Sequence, residues 1–280
     1  MVEADICNQR PFVRSSEEIA TSSLAIILPL LNEAPHITPL FAGIRQALGG
    51  RPHVICVIDD GSRDGTLELV RAEMKQHGDV HLISRHKRFR GCQRGGALLA
   101  GLVWAVAHTD CDLFVEMDGD LSHRPEEMPD GIALVTSGGC DVVIASKYVA
   151  GAREVNREWP RRAVSLIGNQ VVRTVLTRRI RDFSNGYRFY NRVAAELLSR
   201  HRLRWGSPIY LSEALALWLR YRMRVVEFPS VYVGRHEGIS KLRWLDLAKA
   251  LMAIFEIGWR YHVAGFEELP GPEGTEQAAP

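Results

Sequence analysis

Short apolar runs alternate with longer stretches of helical period through the first half of the chain. Leu24 to Leu30, Val54 to Ile58, Val80 to Ser84, Asp112 to Met117 and Asp141 to Ser146 each read as a buried strand. Between them the spacing predicts helices at about 36–48, ended by Gly49-Gly50, at about 64–77, and from Gly95 to His108, the last built of small residues. Residues 85–94 form a basic loop, and Pro125 stands near the first turn of a further helix, where its missing N–H costs nothing. Strands separated by helices imply right-handed crossovers and a mainly parallel sheet covered on both faces, an α/β fold.

In such sheets ligands bind beyond the carboxyl ends of the strands. Three polar clusters fall there: Asn32-Glu33, Asp59-Asp60 and Asp118-Gly119-Asp120. One acidic turn would mean little, but three at one edge of one sheet predict a shared pocket.

The pattern changes after residue 150. Residues 160–181 read as an amphipathic basic helix. Ala163, Val164, Ile167, Val171, Val175 and Leu176 fall near one face, and Arg161, Arg162, Arg173, Arg178, Arg179 and Arg181 supply the charge. Helices are expected near 192–200 and 209–221, a strand at about 224–231, and a second amphipathic stretch at 244–262, rich in Leu, Ile, Phe and Trp. The organisation expected is a loose arm over 1–22, one domain over 23–262 with parts at 23–150 and 151–262, and a disordered tail over 263–280.

Composition narrows the class. The chain has 280 residues, 46% apolar and 24% charged, which excludes a collagen-like, coiled-coil or wholly disordered protein. No apolar run reaches the roughly 18 residues of a membrane span, and the first residues have neither a basic start nor an apolar signal core. Cysteines at 7, 56, 92, 111 and 140 show no metal spacing and read as reduced, mostly buried thiols. The net charge of +2 divides unevenly: residues 1–140 hold 13 Lys+Arg against 19 Asp+Glu, and residues 141–280 hold 22 against 14. A negative front half suits a divalent metal and a positive back half an anionic partner.

The acidic turns carry the candidate chemistry. Asp118 and Asp120 are one residue apart after an apolar strand, and in a strand such positions point to the same side. Two carboxylates so placed repel unless a cation lies between them, and oxygen ligands select magnesium or manganese. The alternative is a solvated turn with a helix cap beyond it. Asp59-Asp60-Gly61-Ser62-x-Asp64-Gly65-Thr66 is longer: Asp64 is expected to cap a helix while Asp60 faces the pocket, where it can accept hydrogen bonds from a nucleobase or ribose. His123 either approaches a bound diphosphate or holds the loop. His77 and His81 have helical metal spacing, but Gly78 intervenes and both read as surface residues. No Ser/His/Asp or Cys/His pairing and no Walker-type phosphate loop is present, and the basic residues lack the interleaved aromatics of a nucleic-acid reader.

Leu28-Pro29-Leu30-Leu31-Asn32-Glu33, Asp59 to Thr66, Met117 to Pro125, and Gly238-Ile239-Ser240-Lys241-Leu242 occur in this order. As a set they resemble the family 2 glycosyltransferases of the GT-A fold, closest to the dolichyl-phosphate (polyprenyl-phosphate) mannosyltransferase branch, over about residues 24–255. The resemblance implies an inverting transfer from a nucleotide sugar, with 23–150 as the nucleotide-sugar and metal part and 151–262 as the acceptor and interfacial part. It implies that Pro29, Leu31, Glu33 and Asp60 lie at the nucleoside and that Asp118, Gly119 and Asp120 bind the diphosphate. Asp118, Asp120 and Ser122 would hold Mg2+ or Mn2+. Lys147, Arg161 and Ser165 match anion-binding positions that would meet the acceptor phosphate. Arg235, in Arg235-x-x-Gly238-x-Ser240-Lys241, matches a basic loop over the donor, so that Asp120, Arg235 and Lys241 would be the catalytic set. This chain departs from the family pattern in three places. Leu31 replaces an aromatic residue, Gln93 and Arg94 interrupt a glycine-rich stretch before Gly95, and Lys147 replaces an arginine.

The chemistry favours a phosphate acceptor. An alcohol needs a general base, whereas a lipid phosphate already carries charge and needs cations to position it. The expected reaction is therefore transfer of mannose from GDP-mannose to a polyprenyl phosphate by a peripheral protein on the cytosolic face of a membrane. The basic helix at 160–181 and the apolar one at 244–262 are candidates to rest on that membrane. The alternatives are a UDP-hexose such as UDP-glucose as donor, a soluble or polysaccharide acceptor, and a non-catalytic nucleotide-sugar-binding protein. The pattern leaves room for a membrane-anchoring partner protein.

Overall fold

The computed structural model describes residues 22–85, 94–156, 159–234 and 244–269. The expected strands form: β1 is Leu24–Leu30, β2 His53–Asp59, β3 Val80–Ser84, β4 Leu113–Glu116 and β5 Val142–Ser146. Around them lie α1 (Ala34–Leu48), α2 (Thr66–Gln76), α3 (Arg94–His108) and, after a 3-10 turn at Pro125–Glu127, α4 (Met128–Thr136). The back half adds β6 (Arg153–Val155), α5 (Trp159–Val175), β7 (Arg188–Asn191), α6 (Arg192–Arg200), α7 (Tyr210–Arg220), β8 (Val225–Pro229), β9 (Val231–Val233) and α8 (Trp244–Trp259), which runs into a π turn at Arg260–Ala264.

The main sheet has seven strands in the order β3-β2-β1-β4-β7-β5-β8, and β6 and β9 form a separate parallel pair. β1 runs parallel to both β2 and β4, while β7 is antiparallel to β4 and β5. Alternate residues of β1 serve opposite cores, which is why the strand is apolar throughout. Leu24, Ile26 and Leu28 pack with Ile37, Leu40, Phe41 and Ile44 of α1 on one side. Ala25 and Ile27 pack with Leu98, Leu102 and Tyr210 from α3 and α7 on the other. The small residues of α3 let it lie close on the sheet: a Cβ at Gly101 would stand 2.8 Å from Ile27 Cγ2 and would overlap Ile58.

Three elements differ from the sequence expectation. The basic helix ends at Val175 rather than near 181. Beyond it, side chains replace helical carbonyls as acceptors. Glu227 takes the N–H groups of Arg181 and Asp182 (2.8 Å each), Asn169 takes that of Phe183 (2.8 Å), and Asp182 takes those of Ser184 (2.9 Å) and Asn185 (3.0 Å). The strand expected over 224–231 divides at Ser230, whose hydroxyl donates to Glu127 Oε2 (2.6 Å), so that β9 leaves the main sheet to pair with β6. Residues 265–269, read from sequence as part of the tail, run against 200–204. There the Arg202 N–H donates to the Glu267 carbonyl (2.9 Å) and the Leu269 N–H to that of Arg200 (2.7 Å). Residues 1–21 and 270–280 lie outside the described residues, as do Cys7 and Cys92. Cys56, Cys111 and Cys140 are buried free thiols, and burial pushes Cys56 up to about 12. His77 ends α2 and His81 stands in β3 against the Trp104 ring, so the two share no helix face.

Candidate active site

β1, β2 and β4 end side by side. Leu30 pairs with Asp59 and Ile27 with Glu116, so the loops after them leave one edge of the sheet. The first two loops are stitched together through their backbones. The Asn32 N–H donates to Ser62 Oγ (2.9 Å), the Glu33 N–H to Thr66 Oγ1 (2.9 Å) and the Ala34 N–H to Asp64 Oδ2 (3.1 Å). In return Asn32 Oδ1 accepts the Arg63 N–H (2.8 Å). Asp64 Oδ1 also accepts the N–H (3.1 Å) and hydroxyl (2.5 Å) of Thr66, so one carboxylate serves orphan donors at the starts of both α1 and α2. These bonds, that of the Thr66 hydroxyl first, hold the Asp64 carboxyl below its usual range. Asp59 accepts the N–H groups of Gly61 (2.8 Å) and Ser62 (3.1 Å) and closes the turn. Asp59 and Asp64 are therefore scaffold. Asp60 faces the Arg85 guanidinium at 3.5 Å, Glu33 bonds His36 (2.9 Å), Leu31 is exposed and Pro29 is partly covered at the rim.

β4 stops at Glu116, so Asp118 and Asp120 stand in a turn, with Leu121 at φ 60°. Strand alternation therefore does not align these two carboxylates, contrary to the sequence argument. Side chains do the positioning. His123 Nδ1 accepts the Asp118 N–H (2.9 Å), which obliges Nε2 to carry the proton it shares with Asn185 Oδ1 (2.9 Å). Asn185 in turn donates to the Ala145 carbonyl, and Tyr187 stacks on the imidazole at 5.0 Å. Burial pushes His123 down to about 4, so it is neutral at pH 7 and holds the loop. Asp120 Oδ1 accepts both the N–H (3.0 Å) and the hydroxyl (2.6 Å) of Ser122. Gly119 lies against the end of the Leu30 side chain, which would have to turn aside for a Cβ at this position.

Arg94, at the start of α3, places Nε and Nη2 each 2.5 Å from Asp118 Oδ1. Sequence reading did not include it in the site; the signal available was a cation interrupting a small-residue stretch. Below the turn lies a polar floor that the sequence also hid. Glu116 Oε1 accepts the hydroxyls of Tyr190 (3.1 Å) and Tyr210 (2.9 Å), and burial raises its carboxyl above the usual range. The buried Arg188 donates to the carbonyls of Asn185 (3.0 Å) and Leu211 (2.8 Å). These partners lie 74 and 94 residues from Glu116 along the chain, and only folding brings them together.

Lys147 follows β5 and reaches the same region. Its Nζ lies 3.2 Å from Ser184 Oγ and 5.0 Å from the Tyr232 ring, whose edge meets the His123 ring at 6.2 Å. The Tyr148 hydroxyl bonds Ser165 Oγ of α5 (2.9 Å), and the Val233 N–H of β9 donates to the Ser122 carbonyl (3.3 Å). Lys147 and Ser165 are thus on elements tied to the D-x-D turn. Arg161 falls in α5, but its side chain is outside the described structure, and Arg235 and Lys241 lie outside the described residues.

A family model for glycosyl transferase family 2 matches residues 25–198. The chain belongs to this family. Among its relatives, a polyprenol monophosphomannose synthase of Mycolicibacterium smegmatis is 31% identical over 243 residues, 86% of this chain and 88% of that protein. An undecaprenyl-phosphate mannosyltransferase of Micrococcus luteus is 29% identical over 83% of this chain and 92% of that protein. A dolichol-phosphate mannosyltransferase of Pyrococcus furiosus is 29% identical over 84% of this chain and 63% of that one. Glucosyl-3-phosphoglycerate synthase from Mycobacterium tuberculosis, solved with Mn2+, UDP and phosphoglyceric acid, superposes with a TM-score of 0.59 at 18% identity, over 88% of this chain and 80% of that one. The glycosyltransferase thus has the GT-A fold.

The acidic turn of this glycosyltransferase suits a hard divalent ion, since Asp118, Asp120 and Ser122 offer only oxygen donors. Among the described residues no group of three or more His, Cys, Asp or Glu side chains gathers, so an ion here would complete its shell from water or substrate.

Proposed function

We propose that this glycosyltransferase transfers mannose from GDP-mannose, with inversion at the anomeric carbon, to a polyprenyl phosphate, using Mg2+ or Mn2+. The observation that carries the reading is the Lys147 ammonium beside the D-x-D turn, 3.2 Å from Ser184 and facing the Tyr232 ring. It is a cation where an anionic acceptor has to approach the donor. The names of the relatives, all mannosyl transferases of polyprenol-type phosphates, support the same acceptor and sugar.

Each group then has a role. Glu33 and Asp60, on the stitched loops, accept hydrogen bonds from the nucleoside, with Pro29, Leu31 and Gly119 shaping the walls. Asp118 and Asp120, with Ser122, hold the divalent ion, which when bound supplies charge stabilisation to the leaving diphosphate. Lys147, Arg161 and Ser165 orient the acceptor phosphate, whose oxygen needs no general base. Arg235 and Lys241 add positive charge at the donor.

The lipid acceptor also needs a protein that meets a membrane. No helix among the described residues is long and apolar enough to cross one. α8 buries Ala253, Ile254 and Ile257 but leaves Met252 (63%), Phe255 (62%) and Trp259 (59%) exposed along one face. Val164, Leu166 and Ile167 of α5 are exposed too, as are Arg162 on the same helix and Arg178, Arg179 and Arg181 after it. Apolar side chains beside arginines suit an anionic membrane surface, on the cytosolic face.

The test is to incubate purified protein, Mn2+ and a polyprenyl phosphate with radiolabelled GDP-mannose or, separately, UDP-glucose, and to count label in the lipid phase. Label from GDP-mannose that vanishes with Asp120→Ala is the expected result. Label only from UDP-glucose moves the enzyme to the other donor. Donor turnover that requires a soluble acceptor overturns the lipid reading.

A further inference from the structure

Arg94 stands where this chain departs from the glycine-rich stretch, and its surroundings are built for it. A Cβ at Gly186 would overlap the guanidinium, so the glycine leaves the slot that Arg94 fills. On its other side Gly95 lets α3 start against α7, since a Cβ there would stand 2.7 Å from the Ser207 carbonyl oxygen and overlap Tyr210. The guanidinium interacts electrostatically with Glu116 on the polar floor and repels Arg188. Its direct partner is Asp118, with Nε and Nη2 both 2.5 Å from Oδ1. Both side chains are only about a fifth exposed, at 21% and 18%, so solvent screens the pair incompletely.

Asp118 therefore already has a cation. A divalent ion taking the same carboxylate meets a net charge of −1 from Asp118, Asp120 and Arg94 rather than −2, and has to share or displace the guanidinium. A diphosphate offers that guanidinium a better, bidentate partner. We propose that Arg94 is a resident counter-cation of Asp118, which opposes divalent-ion binding until a nucleoside diphosphate takes the guanidinium over. The inference rests on the reading of Asp118 as a metal ligand and adds to it a reason for ion and donor to bind together. By linkage each strengthens the other's binding by the same factor, and Arg94 sets part of that factor.

The experiment is a Mn2+ titration followed by electron paramagnetic resonance, without nucleotide and with saturating GDP, on wild type, Arg94→Met and Arg94→Lys. Without nucleotide, Arg94→Met binds Mn2+ about tenfold or more tightly than wild type, the scale on which a neighbouring charge alters a carboxylate's affinity for a cation. The gain on adding GDP is smaller in Arg94→Met than in wild type. Arg94→Lys stays near wild type, because it keeps the charge. Equal or weaker Mn2+ binding by Arg94→Met, with both proteins binding the ion, overturns the role of Arg94 and leaves the metal reading intact. No Mn2+ binding by any of them, with or without GDP, overturns the metal reading and this inference with it. If Arg94→Met does not fold by circular dichroism, Arg94→Gln makes the same comparison.

Discussion

His123 Nδ1 accepts the backbone N–H of Asp118 at 2.9 Å, so a buried neutral imidazole sets the position of the first carboxylate in the acidic turn. Replacing it by Ala leaves that N–H without its acceptor and leaves the Asn185 carbonyl oxygen with only the Tyr187 N–H, at 3.4 Å. The expected loss is about 2–4 kcal/mol of stability, read by urea denaturation, with a larger proportional loss of transfer activity. His123→Asn keeps an acceptor near the Nδ1 position and recovers part of both. Equal damage by Ala and Asn would mean that ring packing on Tyr187, not the hydrogen bond, is what matters.

The same histidine gives stability a pH dependence. Burial lowers its folded pKa to about 4 from the ordinary 6.5 of an imidazole, so between these values the unfolded chain binds more protons. The contribution is fully present above pH 6.5, is lost as pH falls, and is gone near pH 4, to a total of about 3 kcal/mol. Thermal midpoints measured from pH 4 to 7 with a chelator present should slope upward in wild type. They should slope less in His123→Asn.

In the proposed function Lys147, whose ammonium lies 3.2 Å from Ser184 Oγ, orients the acceptor phosphate. Lys147→Met is expected to cost about 10- to 100-fold in transfer, the worth of one charged hydrogen bond, chiefly as a raised KM for lipid phosphate. Lys147→Arg should stay within a few-fold of wild type. A KM effect on GDP-mannose instead would move Lys147 to the donor.

Phe255 and Trp259 are exposed on α8, so Phe255→Glu and Trp259→Glu should leave the melting temperature almost unchanged. Each should weaken co-sedimentation with anionic vesicles by about tenfold or more, because a large apolar side chain contributes roughly 1.5–3 kcal/mol when it leaves water. Unchanged vesicle binding would remove α8 from the membrane contact.

Gly101 lets α3 lie on the sheet over Ile27 and Ile58. Gly101→Ala overpacks that contact and should cost about 1–3 kcal/mol in denaturation, while Mn2+ affinity remains that of wild type.

Much of this arrangement is local and therefore legible in the chain. The apolar runs of β1, β2 and β4 fix strands, the intervening helices force parallel crossovers, and parallel crossovers bring the ends of those strands to one edge. That is why Asn32-Glu33, Asp59-Asp60 and Asp118-Gly119-Asp120 could be expected at one edge of the sheet from the chain alone. Asp64 could be read as a cap, because capping spans only a few residues, although its second duty at Ala34 could not. Which side chains neutralise and hold those acids depends on contacts between distant segments. Arg94 meets Asp118 across 24 residues, His123 meets Asn185 across 62, and Glu116 meets Tyr210 across 94. The ending of α5 at Val175 was decided the same way, by Asp182, Asn169 and Glu227 accepting the N–H groups beyond it. Hydrophobic period and turn chemistry act between near neighbours and so are written along the sequence. Charge pairing and buried hydrogen bonds act through space, and their partners exist only once the sheet has brought distant segments together.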